Sequence, residues 1–272
     1  MRIVLLSTAA IALSGCSWLG LGGHTGHSYG HQNVGHGTYK AQPTHHNHGG
    51  QTLARWNVEG GYGQEFMTGG NALTTANSDF VSFTPGKVEM KNAYEVGERL
   101  DLGVSYALDP NRKFILNGYK SDFDGERQII GVRGAETVSA TFSDYESYGI
   151  EAGFRQYALP VRAPLVNSVR PYLEARVGAA KVDDINITGV TRTAPDGAVT
   201  NTRDFQVYDG GWVPTAAGLV GVETPLFNRM TVGLETGLRY SGRLDASEGG
   251  FTNGDGASKW SVPVSLRGRY RF

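Results

Sequence analysis

The last segment of the chain alternates strictly between two kinds of residue, and this pattern constrains the fold more than any other feature. From residue 259 to residue 272 the even positions carry apolar residues or glycine, and the odd positions carry polar or basic residues and one proline. A period of two is that of a β-strand with one apolar and one polar face. The aromatic residues Trp260, Tyr270 and Phe272 lie toward the ends of the apolar face.

Seven further segments show the same period, although the one at 112–119 is weaker and its facing is ambiguous. The segments are 55–63, 99–108, 112–119, 148–157, 172–180, 212–223 and 230–241. The sequence therefore predicts eight strands, with ten as the alternative count. An even number of strands places both ends of the sheet on the same side of a membrane.

The connections between these segments differ in length in a regular way. Those at 109–112 and 224–229 are short, and the one at 158–169 is intermediate. The other connections are long, namely 64–98, 120–147, 181–211 and 242–258. Short periplasmic turns and long outer loops are typical of outer-membrane barrels.

The N-terminus carries a targeting signal rather than a transmembrane helix. Arg2 precedes an apolar run at 3–13, which is shorter than the ~20 residues that a membrane-spanning helix requires. A positive start, a short apolar run and small residues are typical of a secretory signal. The only cysteine of the chain, Cys16, follows directly. An ordinary signal peptide with an incidental cysteine is the alternative to a lipoprotein signal.

The sequence Leu13-Ser14-Gly15-Cys16 resembles the lipobox of bacterial lipoproteins. That resemblance implies removal of residues 1–15 and acylation of Cys16, and Ser17 in place of an aspartate implies the outer membrane. The alternating last strand with its terminal Phe272 is similar to the insertion signal of outer-membrane proteins. Residues 53–272 thus resemble an eight-stranded outer-membrane barrel of the OmpA/OmpX type.

This resemblance implies an all-β fold, an eight-stranded antiparallel transmembrane β-barrel preceded by a disordered tail. It also implies a location in the bacterial outer membrane, both lipid-anchored and integral. The implied partners are outer-membrane lipid, lipopolysaccharide and the barrel-assembly machinery. The charge is nearly balanced, with 25 basic against 26 acidic residues, so the composition does not indicate binding to nucleic acid.

Residues 16–52 form a histidine- and glycine-rich segment with few apolar residues, which predicts a flexible tether. It contains all seven histidines of the chain: His24, His27, His31, His36, His45, His46 and His48. Imidazole binds zinc, copper and nickel, so the tail is a candidate metal site, although no cofactor is required. A plain His-rich linker and an acid-sensing tail are the alternatives, since imidazole titrates near pH 6.5.

If the apolar faces point outward, the charged faces line the lumen of the barrel. An eight-stranded barrel has room only for its own side chains, and buried charges must pair. The predicted lumen network is Arg55, Glu59, Asp101, Glu151, Arg155, Glu174, Arg176, Glu223, Glu235, Arg239, Arg267 and Arg269, with Arg99 and Arg271 on the same faces. We expect a closed, ion-paired lumen. A charge-lined channel, or a soluble lipocalin-type barrel with inverted faces, is the alternative.

The sequence favours a protein that is not an enzyme. No histidine follows His48, so the barrel lacks a general base that titrates near pH 7. Residues 122–126 contain part of a calcium-loop pattern but not its distant glutamate, and they are more typical of a hairpin turn. Long loops rich in Asn, Thr, Ser and Gly suit a structural, adhesive or surface-recognition role toward an extracellular ligand or envelope proteins. A small transport or metal-handling barrel is the alternative.

Overall fold

A computed structural model describes residues 55–74, 83–163, 166–247 and 256–272. The predicted signal peptide, the lipidation site Cys16 and the seven tail histidines lie outside the described residues. Among the described residues, no helix is long and apolar enough to cross a membrane.

Eight long strands close into an antiparallel barrel, as the alternation predicts. They are β1 (Trp56–Gly69), β5 (Gly97–Asp109), β6 (Arg112–Phe123), β9 (Tyr145–Tyr157), β11 (Val166–Val182), β15 (Gly211–Phe227), β16 (Met230–Ser241) and β18 (Lys259–Arg271). Each pairs with its neighbours in chain order. The last strand closes on the first, with Glu59 opposite Arg269 and Gln64 opposite Val264. Each of the eight predicted segments, including the weak one at 112–119, corresponds to one of these strands, apart from the terminal residues Arg55 and Phe272.

The outer face of the barrel carries a continuous apolar band. Leu102 on β5 is 66% exposed and Val177 on β11 is 65% exposed, and similar side chains follow on every barrel strand. An exposed apolar surface of this extent is unfavourable in water, whereas hydrocarbon of a bilayer solvates it well. The barrel is therefore of the transmembrane type. The soluble lipocalin-type alternative is wrong, because its apolar side chains would point inward.

The long connections are not irregular loops, which is the main departure from the sequence prediction. Most of them pair into a second sheet of short strands, β3 (Thr84–Pro85), β7 (Arg127–Arg133), β8 (Glu136–Phe142), β12 (Ile185–Thr193), β13 (Val199–Asn201), β14 (Phe205–Asp209) and β17 (Asp245–Ala246). A pair of strands, β2 (Asn71–Leu73) and β4 (Val88–Glu89), and one short helix, α1 (Met90–Ala93), complete this part. We call it the head. At the other end of the barrel, β10 (Val161–Ala163) pairs with the start of β11.

The head has a hydrophobic core of its own, which continues into the ends of the barrel strands. Met90, Ile187 and Val207 are fully buried in it, and they share one cluster with Phe123 and Tyr145 of the barrel. Because Phe123 and Tyr145 stand at inward positions near the ends of β6 and β9, this core fills the lumen at the head end. The opposite end, with its short connections, is called the short-turn end below.

Candidate functional site

The inward faces of the barrel strands place a dense group of charges inside the lumen. Side chains alternate between the two faces of a strand, so every second residue points inward. The buried carboxylates are Glu59, Glu65, Asp101, Glu151, Glu174, Glu223 and Glu235, and the buried cations are Arg99, Lys113, Arg155, Arg176, Arg239, Lys259 and Arg267. All of these groups except Lys113 take part in ion pairs, and most of them contact more than one opposite charge.

The centre of the network is a chain of alternating charges that crosses the lumen. Arg155 Nη2 lies 2.9 Å from Glu59, and its Nε lies 2.5 Å from Glu174. Glu174 also contacts Arg176, whose Nη2 lies 3.2 Å from Glu235. Glu235 in turn accepts hydrogen bonds from Arg267 Nη1 at 3.0 Å and from the Tyr172 hydroxyl at 2.9 Å. Such multiple contacts offset the desolvation of the buried charges.

A second group of charges lies nearer the head. Arg99 Nε donates to Asp101 at 3.1 Å, and Asn117 donates to the same carboxylate at 2.6 Å. Arg239 pairs with Glu151. Next to the head core, Glu65 lies 3.5 Å from Lys259 and from Arg99.

The structure brings together every member of the predicted lumen network except Arg55. Arg55 precedes β1, so the strand alternation does not orient it, and its exposed guanidinium donates to the Tyr106 hydroxyl at 3.3 Å. Its assignment to the lumen is wrong. Arg271 is also exposed, because it follows the last inward position that the barrel covers, and it donates to the Asn228 carbonyl oxygen.

Three buried charges escaped the sequence prediction. Glu65 lies beyond the predicted end of the first strand, and Lys113 belongs to the segment whose facing was ambiguous. Lys259 begins the last strand on its polar face. The period of two would have found Glu65 if continued past residue 63, and Lys259 if applied from the first residue of the last strand. It could not have found Lys113, because the facing of that segment is ambiguous in the sequence.

The side chains fill most of the lumen, and two small cavities lie among them. One cavity is lined by Glu59, Tyr172 and Arg269 among others, and a second by Glu65, Tyr119 and Lys259 among others. Each is about 10 Å³ in volume, which is enough for about one water molecule. Within the described residues, the charge network and the head core therefore obstruct the lumen in succession.

The segment at 122–126 is a link between the barrel and the head. The prediction of a hairpin turn there is wrong, because β6 pairs with β5 and β9 whereas β7 pairs with β8. The amide of Gly125 donates to Asp144 at 3.0 Å, and Lys120 lies 3.7 Å from Asp122. Among the described residues, no group of three or more His, Cys, Asp or Glu could hold a metal ion.

The solvent face of the head sheet is rich in hydroxyl groups. Three cross-strand pairs stand side by side on β8 and β12, namely Thr141 with Thr188, Ser139 with Thr191 and Thr137 with Thr193. Val138, Ala140 and Phe142, which alternate with them on β8, point into the head core. We call these six side chains the hydroxyl face.

Aliphatic side chains border the hydroxyl face on both sides. Ile129 lies opposite Ser139, Val132 lies opposite Thr137, and Val199 lies opposite Thr193. All three are exposed. Arg127 stands at one corner, where its guanidinium donates to the Thr191 hydroxyl at 2.5 Å. The face thus combines hydroxyls and methyl groups with a single charge at its edge, among the described residues of these strands.

Comparisons with known proteins find similar folds but no relatives in sequence. No protein-family model matches the chain, and no curated protein does. Among solved structures, Neisserial surface protein A has a TM-score of 0.41 at 13% identity, over 80% of this chain and 97% of its own. The Ail protein of Yersinia pestis has a TM-score of 0.36 at 12% identity, over 80% and 98%. The outer membrane protease OmpT of Escherichia coli has a TM-score of 0.46 at 9% identity, over 81% and 98%. Likeness at this level carries no argument about activity, and the barrel assignment depends on the strand pairings described above.

Proposed function

We propose that this chain is a non-enzymatic outer-membrane barrel lipoprotein whose head recognises an extracellular ligand. The apolar band, the terminal Phe272 and the lipobox-like Leu13-Ser14-Gly15-Cys16 support the location. The arrangement of short and long connections supports the orientation, with the short-turn end in the periplasm and the head outside. The absence of histidine after His48 supports a role without acid–base chemistry in the barrel.

The hydroxyl face is the observation that carries the recognition role. A barrel that served only as an anchor would need no folded head with its own core. A face of Thr and Ser side chains bordered by Ile129, Val132 and Val199 offers hydrogen-bonding groups next to apolar surface. Neutral polysaccharides present the same combination, hydroxyls and C–H faces. The ligand class that this surface fits best is therefore an uncharged glycan.

Binding of the full chain in lipid nanodiscs to an array of neutral and acidic glycans tests this proposal. The double variant Ser139→Lys, Thr191→Lys places two charges on the hydroxyl face, and we expect it to lose binding to neutral glycans. Thr200→Lys is the matched control, since Thr200 is exposed on β13 but pairs with Arg192, on the opposite face of the sheet. Equal binding by both variants, or binding to acidic glycans alone, would contradict the proposal.

The lipid anchor and the metal-binding tail are further proposals, each with its own test. We expect Cys16→Ser to abolish incorporation of labelled palmitate while the barrel still folds.

We expect the full chain to bind Zn²⁺, Cu²⁺ or Ni²⁺ through the seven histidines between His24 and His48, and more weakly as the pH falls through about 6.5. Zinc titration that shows no difference between the wild type and the variant His45→Ala, His46→Ala, His48→Ala would argue for a plain tether.

A further inference from the structure

Four cations surround one tyrosine ring at the short-turn end of the lumen. Measured to the ring centroid of Tyr157, the guanidinium carbon of Arg170 lies at 4.4 Å, Lys113 Nζ at 5.3 Å, and the guanidinium carbons of Arg155 and Arg269 at 5.9 Å. We call these five residues the Tyr157 cluster. The electron-rich face of an aromatic ring attracts cations, but more weakly than a carboxylate does.

Two of the four cations have carboxylate partners. Arg155 contacts Glu59 and Glu174, as described above, and Arg269 Nη2 lies 2.7 Å from Glu223. The Tyr157 hydroxyl is also engaged, because it donates to Glu223 at 3.2 Å. The acidic groups near the cluster are therefore already in use.

The other two cations, Lys113 and Arg170, have no carboxylate partner among the described residues. Arg170 Nη2 donates to two neutral oxygens, the Pro110 carbonyl and Asn111 Oδ1, each at 2.6 Å, and its buried Nε has no hydrogen-bond partner. Lys113 is 7% exposed and makes neither a hydrogen bond nor an ion pair within the described part of the chain.

The strand register makes the position of Lys113 still less favourable. Lys113 on β6 lies directly opposite Arg155 on β9, and both side chains point into the lumen. Like charges at directly opposed positions are destabilising, and so is a buried cation without a partner. The Tyr157 cluster therefore has a deficit of negative charge.

We propose that the Tyr157 cluster is a binding site for a soluble oxyanion, a phosphate or a carboxylate, that enters from the short-turn end. Lys113 is the first inward residue after the turn at 109–112, and Arg269 is only half-buried, so the cluster lies near the opening. Its side chains point into the lumen, so a lipid headgroup on the outer face cannot reach them. The tail at 17–52 contains no Asp or Glu and cannot supply the missing charge.

This site is independent of the recognition role, because it lies at the end of the barrel opposite the head. Under the function proposed above it would face the periplasm. There it would hold a phosphate or a carboxylate group against Lys113 and Arg170, with Arg155 and Arg269 adding to the positive field. Charge-assisted hydrogen bonds from lysine and arginine are the usual means by which proteins bind such groups.

Titration of the full chain in zwitterionic detergent micelles with inorganic phosphate tests the proposal, with sodium chloride holding the ionic strength constant. We expect saturable binding by calorimetry, and we expect Lys113→Met to weaken it about tenfold or more, since a hydrogen bond to a charged group is lost. Lys113→Arg keeps the charge and should keep binding. Lys120→Met is the matched control, because Lys120 is an exposed lysine on the same strand that already lies 3.5 Å from Glu146. A parallel titration with acetate shows whether the site accepts a carboxylate as well as a phosphate.

Several results would overturn the proposal. No saturable binding of phosphate or acetate by the wild type would do so, as would binding that Lys113→Met leaves intact. The proposal also requires that Lys113→Met folds at least as well as the wild type in phosphate-free buffer, because the substitution removes an uncompensated buried cation. Failure of Lys113→Met to fold while Lys120→Met folds would therefore count against the site.

Discussion

At the scale of single residues, the lumen network depends on a glycine that leaves room for a side chain of the neighbouring strand. Gly221 on β15 lies opposite Tyr172 on β11. A Cβ atom at Gly221 would stand 2.3 Å from Cζ of the Tyr172 ring, well inside van der Waals contact. The hydroxyl of that ring donates to Glu235, which also binds Arg176 and Arg267. Gly221 therefore makes room for the Tyr172 ring, whose hydroxyl is one of the hydrogen-bond donors to Glu235.

We expect Gly221→Ala to destabilise the barrel by about 1–3 kcal/mol, the usual effect of overpacking. The added methyl group must displace the Tyr172 ring and weaken its bond to Glu235. Gly218→Ala is the matched control, since Gly218 lies on the same strand and its added Cβ would meet nothing within 4 Å. Urea unfolding in lipid vesicles, followed by tryptophan fluorescence, measures both. Equal stability of the two variants would show that Tyr172 has room to move.

At the scale of elements, each barrel strand separates a lipid-facing side from a charged side by one residue. On β16, Leu234 is 59% exposed in the apolar band, whereas Glu235 is 4% exposed in the lumen. Leu234 lies between Val222 and Leu266 on the neighbouring strands, near the middle of the band. A charged side chain at this position would face the hydrocarbon of the bilayer.

We expect Leu234→Arg to destabilise the folded barrel by about 2–4 kcal/mol in vesicles. Met230→Arg on the same face but at the end of β16 should cost only about 0–1 kcal/mol, since it lies near the interface. Reversible unfolding of both variants in the same lipid gives the comparison. A similar cost at the two positions would place the apolar band at a different height on the barrel.

The barrel strands were predictable from sequence because lipid imposes a strict rule on them. Outward positions such as Leu234 and Leu238 face hydrocarbon, which favours apolar residues at every second position over a long stretch of the strand. The head strands alternate as well, as Val138, Ala140 and Phe142 show, but they are short. Bulges interrupt them near Gly131 and between Thr188 and Thr191, which breaks the period. The lumen charges followed from the barrel period, whereas their individual partners depend on register and could not be predicted.

The head core contains a buried tyrosine that links its stability to pH. The Tyr94 ring packs against Phe142 and Tyr145 at centroid distances of 6.0 Å and 5.8 Å, and its hydroxyl has no hydrogen-bond partner. Burial raises the pKa of Tyr94 above its ordinary value, since the phenolate would lose its hydration. The folded head therefore keeps Tyr94 protonated at a pH where the unfolded chain releases that proton.

We expect the head to lose stability as the pH rises above about 10, the pKa of tyrosine in an unfolded chain. A group that holds its proton more tightly in the folded state than in the unfolded state lowers the free energy of unfolding as the pH rises. Tyr94→Phe should fold at least as well at pH 8, because no hydrogen bond is removed. It should lose less stability at high pH, because phenylalanine has no proton to release. Urea unfolding of both proteins across this pH range measures the difference. An identical decline in both would assign the alkaline sensitivity to other groups.

At the scale of the whole molecule, the polarity of the interior reverses along the barrel axis. Within the apolar band the outside is apolar and the inside is charged, as at Leu234 and Glu235. In the head the outside carries hydroxyl groups, as at Thr191, beside some aliphatic side chains, and the inside is apolar, as at Phe142. The change follows the solvent, because lipid requires an apolar exterior and water requires an apolar core. The molecule thus has two kinds of interior, a charged one in the barrel and an apolar one in the head, and one hydrophobic cluster joins the head to the ends of the barrel strands.

Because the charge network and the head core obstruct the lumen in series, we expect the full chain to show no stepwise current in a planar lipid bilayer. Phe142→Ala should also remain silent, since it loosens only the head core and leaves the pairs around Arg155 and Arg176 in place. A large-pore porin reconstituted in the same way is the positive control. Steps of constant amplitude from the wild type would mean that the side chains of the lumen move apart in the membrane. In that case the transport alternative would replace the closed barrel.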